Sequence, residues 1–460
     1  TFARFPEYTE RERLEQDGAL GVEPLRLPSD SIAFIASGGL QRGARIRLMR
    51  IETQLTWTIE NVHGRRRAWR NAAGASVVPL DVARARSEVE RRFGGTSESA
   101  TAINEADQWT VGRTREADFP LFRIALNDPA AHEIYLAAIS GEVLQASTRA
   151  ERAWTWIGAI PHWIYPAILR RQRALWSRSV IALAMFGLLV TGSGLIAGVQ
   201  AAWARRRMRR RPGAVASPSV NRLLRLHQRI GLGFGLFASG WLFSGALSLT
   251  PFDWTGPDPS DAVLARIHAG IIDPKRLADL PLTAALDHCA QVLSVRELEL
   301  AAFGGSLVIV CSDAAAQTRI IDLDDPTLSA RRTLPVARLR AAWPAPTDMV
   351  AFELLDTADD YYYPTHAESS IAKPYLRVRV RDREQTAFYV DPARALLVAH
   401  FTARKRWERW LYHGLHSLDF PVLYRHRVVW RSVVCSAMLA GLTLSLLGLT
   451  VRRRRHWRRR

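Results

Sequence analysis

Lysine is almost missing from this 460-residue chain, which carries it only at Lys275, Lys373 and Lys405. None of the three precedes a Ser or Thr, so a phosphate-cradling P-loop is excluded. No His-Glu-x-x-His, Cys-x-x-Cys or Cys-x-x-Cys-His occurs. A zincin and a covalently attached c-type haem are therefore excluded. Two stretches contain no acid: residues 203–229 hold nine arginines, and residues 452–460 hold seven. These sixteen account for most of the net charge of +19, since the 47 basic residues left nearly balance the 44 acids. Both blocks abut long apolar runs, which is the pattern of cytoplasmic flanks on membrane helices. The excess charge is thus not a nucleic-acid face, and the partner it implies is the lipid bilayer. With 48% hydrophobic residues the chain has enough apolar material for real cores and is not a disordered tail.

Three runs lack any charge: residues 180–199, 230–249 and 432–451. Each is about 20 residues long, the length at which a helix crosses the roughly 30 Å hydrocarbon core. Trp176, Trp203, Trp254 and Trp430 lie near the predicted ends, as an interfacial belt would; Trp241 does not. The arginines orient the spans, with the loop 203–226 and the tail 452–460 in the cytoplasm. Residues 1–150 and 251–402 then form outer modules, followed by amphipathic outer segments at 151–177 and 403–427 and spans at 178–202, 227–250 and 428–451. A polar segment of about 150 residues needs a leader or a spanning helix before it to reach the outer side.

Displacing the chain by 254 residues against itself matches Trp156 with Trp410, His162 with His416, Leu169 with Leu423, Arg171 with Arg425, Arg173 with Arg427 and Trp176 with Trp430. The register continues through the apolar run, where Gly187 meets Gly441 and Gly194 meets Gly448. Tryptophan and histidine are rare, so this reads as a duplicated unit of span, outer domain and span. The run 230–249 opens the second unit, and its counterpart is expected as a fourth helix upstream of Thr1.

The expected fold class is an α+β membrane protein: a transmembrane helical bundle with two α+β outer modules, internally duplicated. In the first module, residues 31–36, 46–53 and 55–62 alternate as strands, 80–93 is a helix and 133–144 a hairpin. In the second, 261–269 and 280–293 are helical, 297–303 and 306–311 are strands, and a closing hairpin pairs 375–380 with 386–390. Cys289 and Cys311 share the outer side and are either a disulfide or two unbonded core cysteines.

The segment Trp156-Ile157-Gly158-Ala159-Ile160-Pro161-His162-Trp163-Ile164-Tyr165 resembles the PepSY-associated transmembrane family. So do residues 407–421, from Trp407-Glu408-Arg409-Trp410 through His413 and His416 to Phe420-Pro421, and Tyr361-Tyr362-Tyr363. Tyr389-Val390-Asp391-Pro392 is similar to the end of a PepSY module, although Ala395 stands where the family has Gly and Ala137-Ala138 replaces Asp-Pro in the first module. The resemblance implies PepSY-like modules in the periplasm of a bacterial inner-membrane protein. It further implies similarity to ferric-siderophore reductases, which carry two haems. The cofactor so implied is haem b, the substrate a ferric siderophore or similar iron chelate, and the electron donor a separate component, since the chain has no flavin or nicotinamide signature. Members without enzymatic activity supply the alternative: outer modules that bind or regulate a periplasmic protease or envelope partner.

Under that resemblance the membrane histidines become candidate axial ligands. His227 shares a helical face with Gly231, Gly235 and Ser239, which either leaves room for a flat porphyrin or permits close helix packing. His162 and His416 occupy equivalent outer positions and would either face each other across one haem or anchor amphipathic segments at the interface. His413, three residues before His416, is an alternative ligand. Tyr361, Tyr362, Tyr363 and His366 form the densest polar-aromatic cluster outside the spans, and either dock the iron chelate or simply pack.

Overall fold

A computed structural model describes residues 5–21, 23–38, 45–60, 66–71, 76–114, 118–209, 220–254, 263, 267, 274–343, 350–363, 371 and 373–457. The chain divides into two units, Thr1–Arg173 with Pro257–Phe401, and Ala174–Gly256 with Thr402–Arg460.

The first unit is α+β. Helices α1 Glu10–Gln16 and α2 Ser29–Gly38 precede strands β1 Arg45–Ile51, β2 Gln54–Glu60 and β3 Arg66–Arg70. Next come α3 Val82–Phe93, then β4 Ser97–Ile103, β5 Leu121–Leu126, β6 Glu133–Ala137 and β7 Val143–Ser147, and the short helices α4 Arg149–Ile157, α5 Ala159–Trp163 and α6 Ala167–Arg170. The long helices α7 Arg173–Arg209 and α8 Val220–Leu247 follow. The chain then returns to the first unit with α9 Pro274–Ala278, α10 Leu282–Ala290, β8 Val295–Phe303, β9 Ser306–Asp313, β10 Thr318–Asp322, α11 Val336–Ala341, and β11 Val350–Leu355, β12 Tyr375–Val380, β13 Ala387–Asp391 and β14 Leu396–Phe401.

The two outer segments do not stand apart. Strands β1 and β8 pair antiparallel through Ile46–Leu300, Arg47–Glu299 and Leu48–Leu298, joining β1–β3 and β8–β10 into one six-stranded sheet of order β10-β9-β8-β1-β2-β3. One face packs Ile46, Leu48, Trp57, Leu298 and Leu300 against Ile32 and Ile35 of α2 and Leu282, Ala285 and Leu286 of α10. Alternation then sends Val308, Val310 and Ile320 to the opposite face, against Leu376, Val378, Phe388 and Val390 of the sheet β11-β12-β13-β14. Burial on both faces is why β9 reads as the unbroken apolar run Leu307-Val308-Ile309-Val310-Cys311. The third sheet, β4-β5-β6-β7, packs with α3. That helix starts where the Asp81 carboxylate accepts the Arg84 amide at 2.8 Å, and stops at Gly94 with φ 75°.

Residues 31–36, expected as a strand, lie instead in α2. Ile32 and Ile35 are three apart and both buried, while the Ser31 hydroxyl donates to Pro28 O at 2.7 Å in the first turn. So short an apolar run satisfies either period, and tertiary packing decides. Most of the helix expected at 261–269 lies outside the described residues.

The 254-residue offset recurs in the element boundaries. It carries β5 onto β12, β6 onto β13, and the start of α7 onto the start of the last helix at Arg427. The bulge at Tyr135/Leu136 falls on that at Tyr389/Val390, and left-handed Ile164 falls on left-handed Leu418. Thr148 and Thr402 both cap helices with their side chains.

The second unit holds α7 and α8, then α12 Ala403–Glu408, a π-helical turn Arg409–Gly414, α13 Leu415–Ser417, α14 Pro421–Tyr424 and α15 Arg427–Trp457. Arg173–Met208, Arg222–Leu247 and Arg427–Thr450 are long and apolar enough to cross a membrane. Leucines and phenylalanines such as Leu183, Phe186, Leu189, Leu442 and Leu446 point outward, as lipid-facing side chains do, and the helices meet instead through glycines. Against α7, Gly235 takes Leu195 and Gly198 takes Leu232; against α15, Gly441 takes Phe234 and Gly231 takes Leu444. These features make the chain a membrane protein.

Candidate functional site

Helix α8 carries the contacts of two candidate histidines, one near each end. His227 lies two turns into the helix and is half-buried. Its ring rests on α15 at Gly448, where a Cβ would come within 3.5 Å of His227 Cε1. Its Nδ1 is buried and has no hydrogen-bond partner. A buried imidazole nitrogen inside a span is costly and calls for a ligand or a role. The glycines of its helical face are occupied: Leu444 lies 3.4 Å from a Cβ at Gly231, and Leu195 lies 2.8 Å from one at Gly235. That face therefore makes close helix–helix contacts.

At the other end of α8, Ser244 Oγ lies 3.2 Å from His416 Nδ1. The serine hydroxyl is directed at Gly240 O, 2.7 Å away in the preceding turn. Trp241 O lies 3.1 Å from the same hydroxyl, and which group donates between Ser244 and His416 depends on the tautomer of the ring. A hydrogen bond at one ring nitrogen is how proteins orient a metal-binding imidazole. Seventeen residues separate His227 from Ser244, about 25 Å along the helix at 1.5 Å per residue.

The turn bearing His416 is folded back on itself. Arg409 is 2% exposed, donates to Asp419 O at 2.5 Å, and lies 4.9 Å over the Trp410 ring. Trp430 Nε1 donates to Ser417 O at 2.8 Å, fixing the turn to the start of α15. The Tyr412 ring sits 4.5 Å from that of His413 and 5.6 Å from that of His416. Burial pushes the His413 pKa down to about 4, helped by the charge of Arg409 and by His416. His413 is consequently neutral above pH 5. The positions 254 residues earlier hold Trp154, Thr155, Gly158 and Ala159 in place of Glu408, Arg409, Tyr412 and His413, so this polar turn belongs to the second half alone. A π-helical turn, often found at functional sites, stands there too.

His162 belongs to the first unit, on α5, which ends at left-handed Ile164. It is exposed, and its amide donates to Gly158 O at 3.1 Å. The structure thus makes neighbours of His413 and His416, while His227 and His416 touch opposite ends of one helix.

Tyr361 and Tyr362 lie in a turn. Asp359 accepts their amides at 2.9 and 2.6 Å, and its other oxygen accepts the Tyr389 hydroxyl at 2.7 Å and Arg377 at 2.9 Å. The Tyr362 ring lies 4.8 Å from Tyr375, Tyr361 lies 5.3 Å from Phe401, and Tyr363 is 6% exposed. Burial, then the nearby Asp359 charge, pushes the Tyr375 phenol up to about 12. The first half repeats the device: Asp107 accepts the Tyr135 hydroxyl at 2.6 Å and the Trp109 amide at 3.0 Å. The cluster is well built as packing. His366 lies outside the described residues.

No protein-family model, curated protein or solved structure matches the chain. Its reading rests on its own residues. Sequence reasoning did not single out Ser244 or Arg409. A serine in a span announces no partner, and the contact to His416 joins residues 172 apart.

Proposed function

We propose that the chain is an inner-membrane, haem-carrying reductase that delivers electrons to a ferric chelate on the periplasmic side. The observation that supports this best is the pair of imidazoles at the two ends of α8: His227 with an orphaned, buried Nδ1, and His416 with its Nδ1 held by Ser244. The about 25 Å between these points is close to the roughly 30 Å thickness a transmembrane electron carrier has to span. The orphaned His227 Nδ1 is a donor of the kind that ligates haem iron, and haem b there would have to displace Leu195 and Leu444 from the neighbouring glycine face. Haem, when bound, supplies the one-electron redox chemistry. His227 would hold the cytoplasmic-side group, and His416, with His162 or His413, would hold the outer one. The Arg-rich loop and tail set the orientation. In this reading the chain is a duplication of span, PepSY-like module and span, with a fourth helix upstream carrying the counterpart of His227. The recurrence of β5, β6 and the left-handed Ile164 at an offset of 254 supports the duplication.

A second reading has its own observation. Leu195 and Leu444 fill the glycine face beside His227, which is what a structural bundle requires. The protein would then be a non-enzymatic membrane protein whose modules bind a periplasmic protease or envelope partner. An absorbance spectrum of the purified full-length protein separates the two: haem bands sensitive to His227→Ala and His416→Ala support the reductase, and a protein without haem supports the regulator.

A further inference from the structure

The sheet at the centre of the first unit places two cysteines in one buried layer. On β9, Leu307, Ile309 and Cys311 point to the face covered by α10, and Val308 and Val310 point away. On α10, Leu282, Ala285, Leu286 and Cys289 form the buried stripe that packs down on that same face. Cys289 and Cys311 are each fully buried, stand as free thiols, and lie near enough for Cys289 to raise the Cys311 pKa. The hairpins β1–β2 and β8–β9 turn at residues 52–53 and 304–305, so the counterpart of Cys311 is Ile59, which is buried in this layer. The matching strand of the first half therefore fills the layer without sulfur.

We infer that Cys289 and Cys311 are a disulfide-forming pair that staples α10 to β9. The inference rests on the proposed outer-side location of the module, where oxidising conditions prevail. The chemistry is thiol–disulfide exchange with an extracytoplasmic protein disulfide. One cysteine thiolate attacks a carrier sulfur to give a mixed disulfide, and the other carrier sulfur leaves as thiolate. The second cysteine then attacks the first cysteine's sulfur and expels the carrier sulfur bound to it, so the chain loses two electrons and the carrier is reduced to a dithiol that takes up the two protons. Burial and the neighbouring thiol hold the Cys311 pKa well above the usual thiol range, which makes the folded pair inert. Exchange accordingly precedes the packing of α10 onto the sheet.

The test uses the full-length protein expressed in a bacterial membrane. Cells are quenched with a maleimide, and the protein is denatured without reductant, labelled again and digested for mass spectrometry. Joined peptides containing Cys289 and Cys311, about 2 Da lighter than the two thiol peptides together, with label on Cys435 alone, are the expected result. In Cys289→Ser, Cys311 should take the label. Label on both Cys289 and Cys311 of the parent protein overturns the inference. A periplasmic-activity reporter fused after Pro257 in the same strain separates the causes. If the reporter is active, the disulfide idea alone has failed; if it is silent, the proposed topology has failed with it.

Discussion

Ser244 Oγ lies 3.2 Å from His416 Nδ1 and so ties the ring to α8. In the proposed reductase this bond would orient the ring toward iron. Removing such an outer partner typically weakens metal binding by about tenfold or more. Ser244→Ala should thus lower haem retention on the outer side while leaving the protein in the membrane, and titration of the purified apoprotein with haem checks this. His413 gives a prediction that does not depend on haem. Its folded pKa of about 4 lies below the ordinary 6.5 because the charged form is desolvated. Between those values the unfolded chain takes up a proton that the folded chain refuses, so stability is full above pH 6.5 and falls as pH drops toward 4. The slope should be about 1 kcal/mol per pH unit, and His413→Gln should flatten it. Melting curves in detergent at pH 7 and pH 5 measure the difference, and equal slopes in parent and variant would contradict the burial argument.

Among the elements, the glycines decide which helix faces are used. A Cβ at Gly441 would meet the Phe234 ring at 2.6 Å, so Gly441→Leu should part α8 from α15. The expected cost is about 1–3 kcal/mol, the usual range for an overpacked contact. Gly192 has nothing within 4 Å, and Gly192→Leu should be neutral. Thermal melts of the two variants and the parent protein test this. The three apolar helices were legible in the sequence because a charge-free run of membrane length has few other uses. Helix α2 was not, since Ile32 and Ile35 in a short run suit a strand as well as a helix. The glycine face of α8 could be read two ways, and only Leu195 and Leu444, on two other helices, show what fills it.

At the scale of the whole molecule, β1 and β8 merge the two outer segments into one sheet, a pairing of residues about 250 apart that no local pattern announces. The 254-residue offset was visible in the sequence because Trp156, His162 and Trp176 have rare counterparts, but the shared sheet it produces was not. Topology follows from charge and has a separate check. Reporters fused after Arg211 and after Pro257 should lie on opposite sides of the membrane, and the same side for both would overturn the orientation.

The central claim is haem held by His227 and His416, and the most direct measurement is the haem-to-protein ratio and the reduced-minus-oxidised absorbance spectrum of the purified full-length protein. The account predicts a six-coordinate haem spectrum. His416→Ala should remove about half of the haem and abolish reduction of ferric chelates. His162→Ala should give the same spectral loss, while replacing His426, which lies between Arg425 and Arg427 and is no candidate ligand, with Ala should leave the spectrum unchanged. Wild-type haem content and spectrum in His227→Ala, His416→Ala and His162→Ala alike, or a parent protein with no haem, would contradict it.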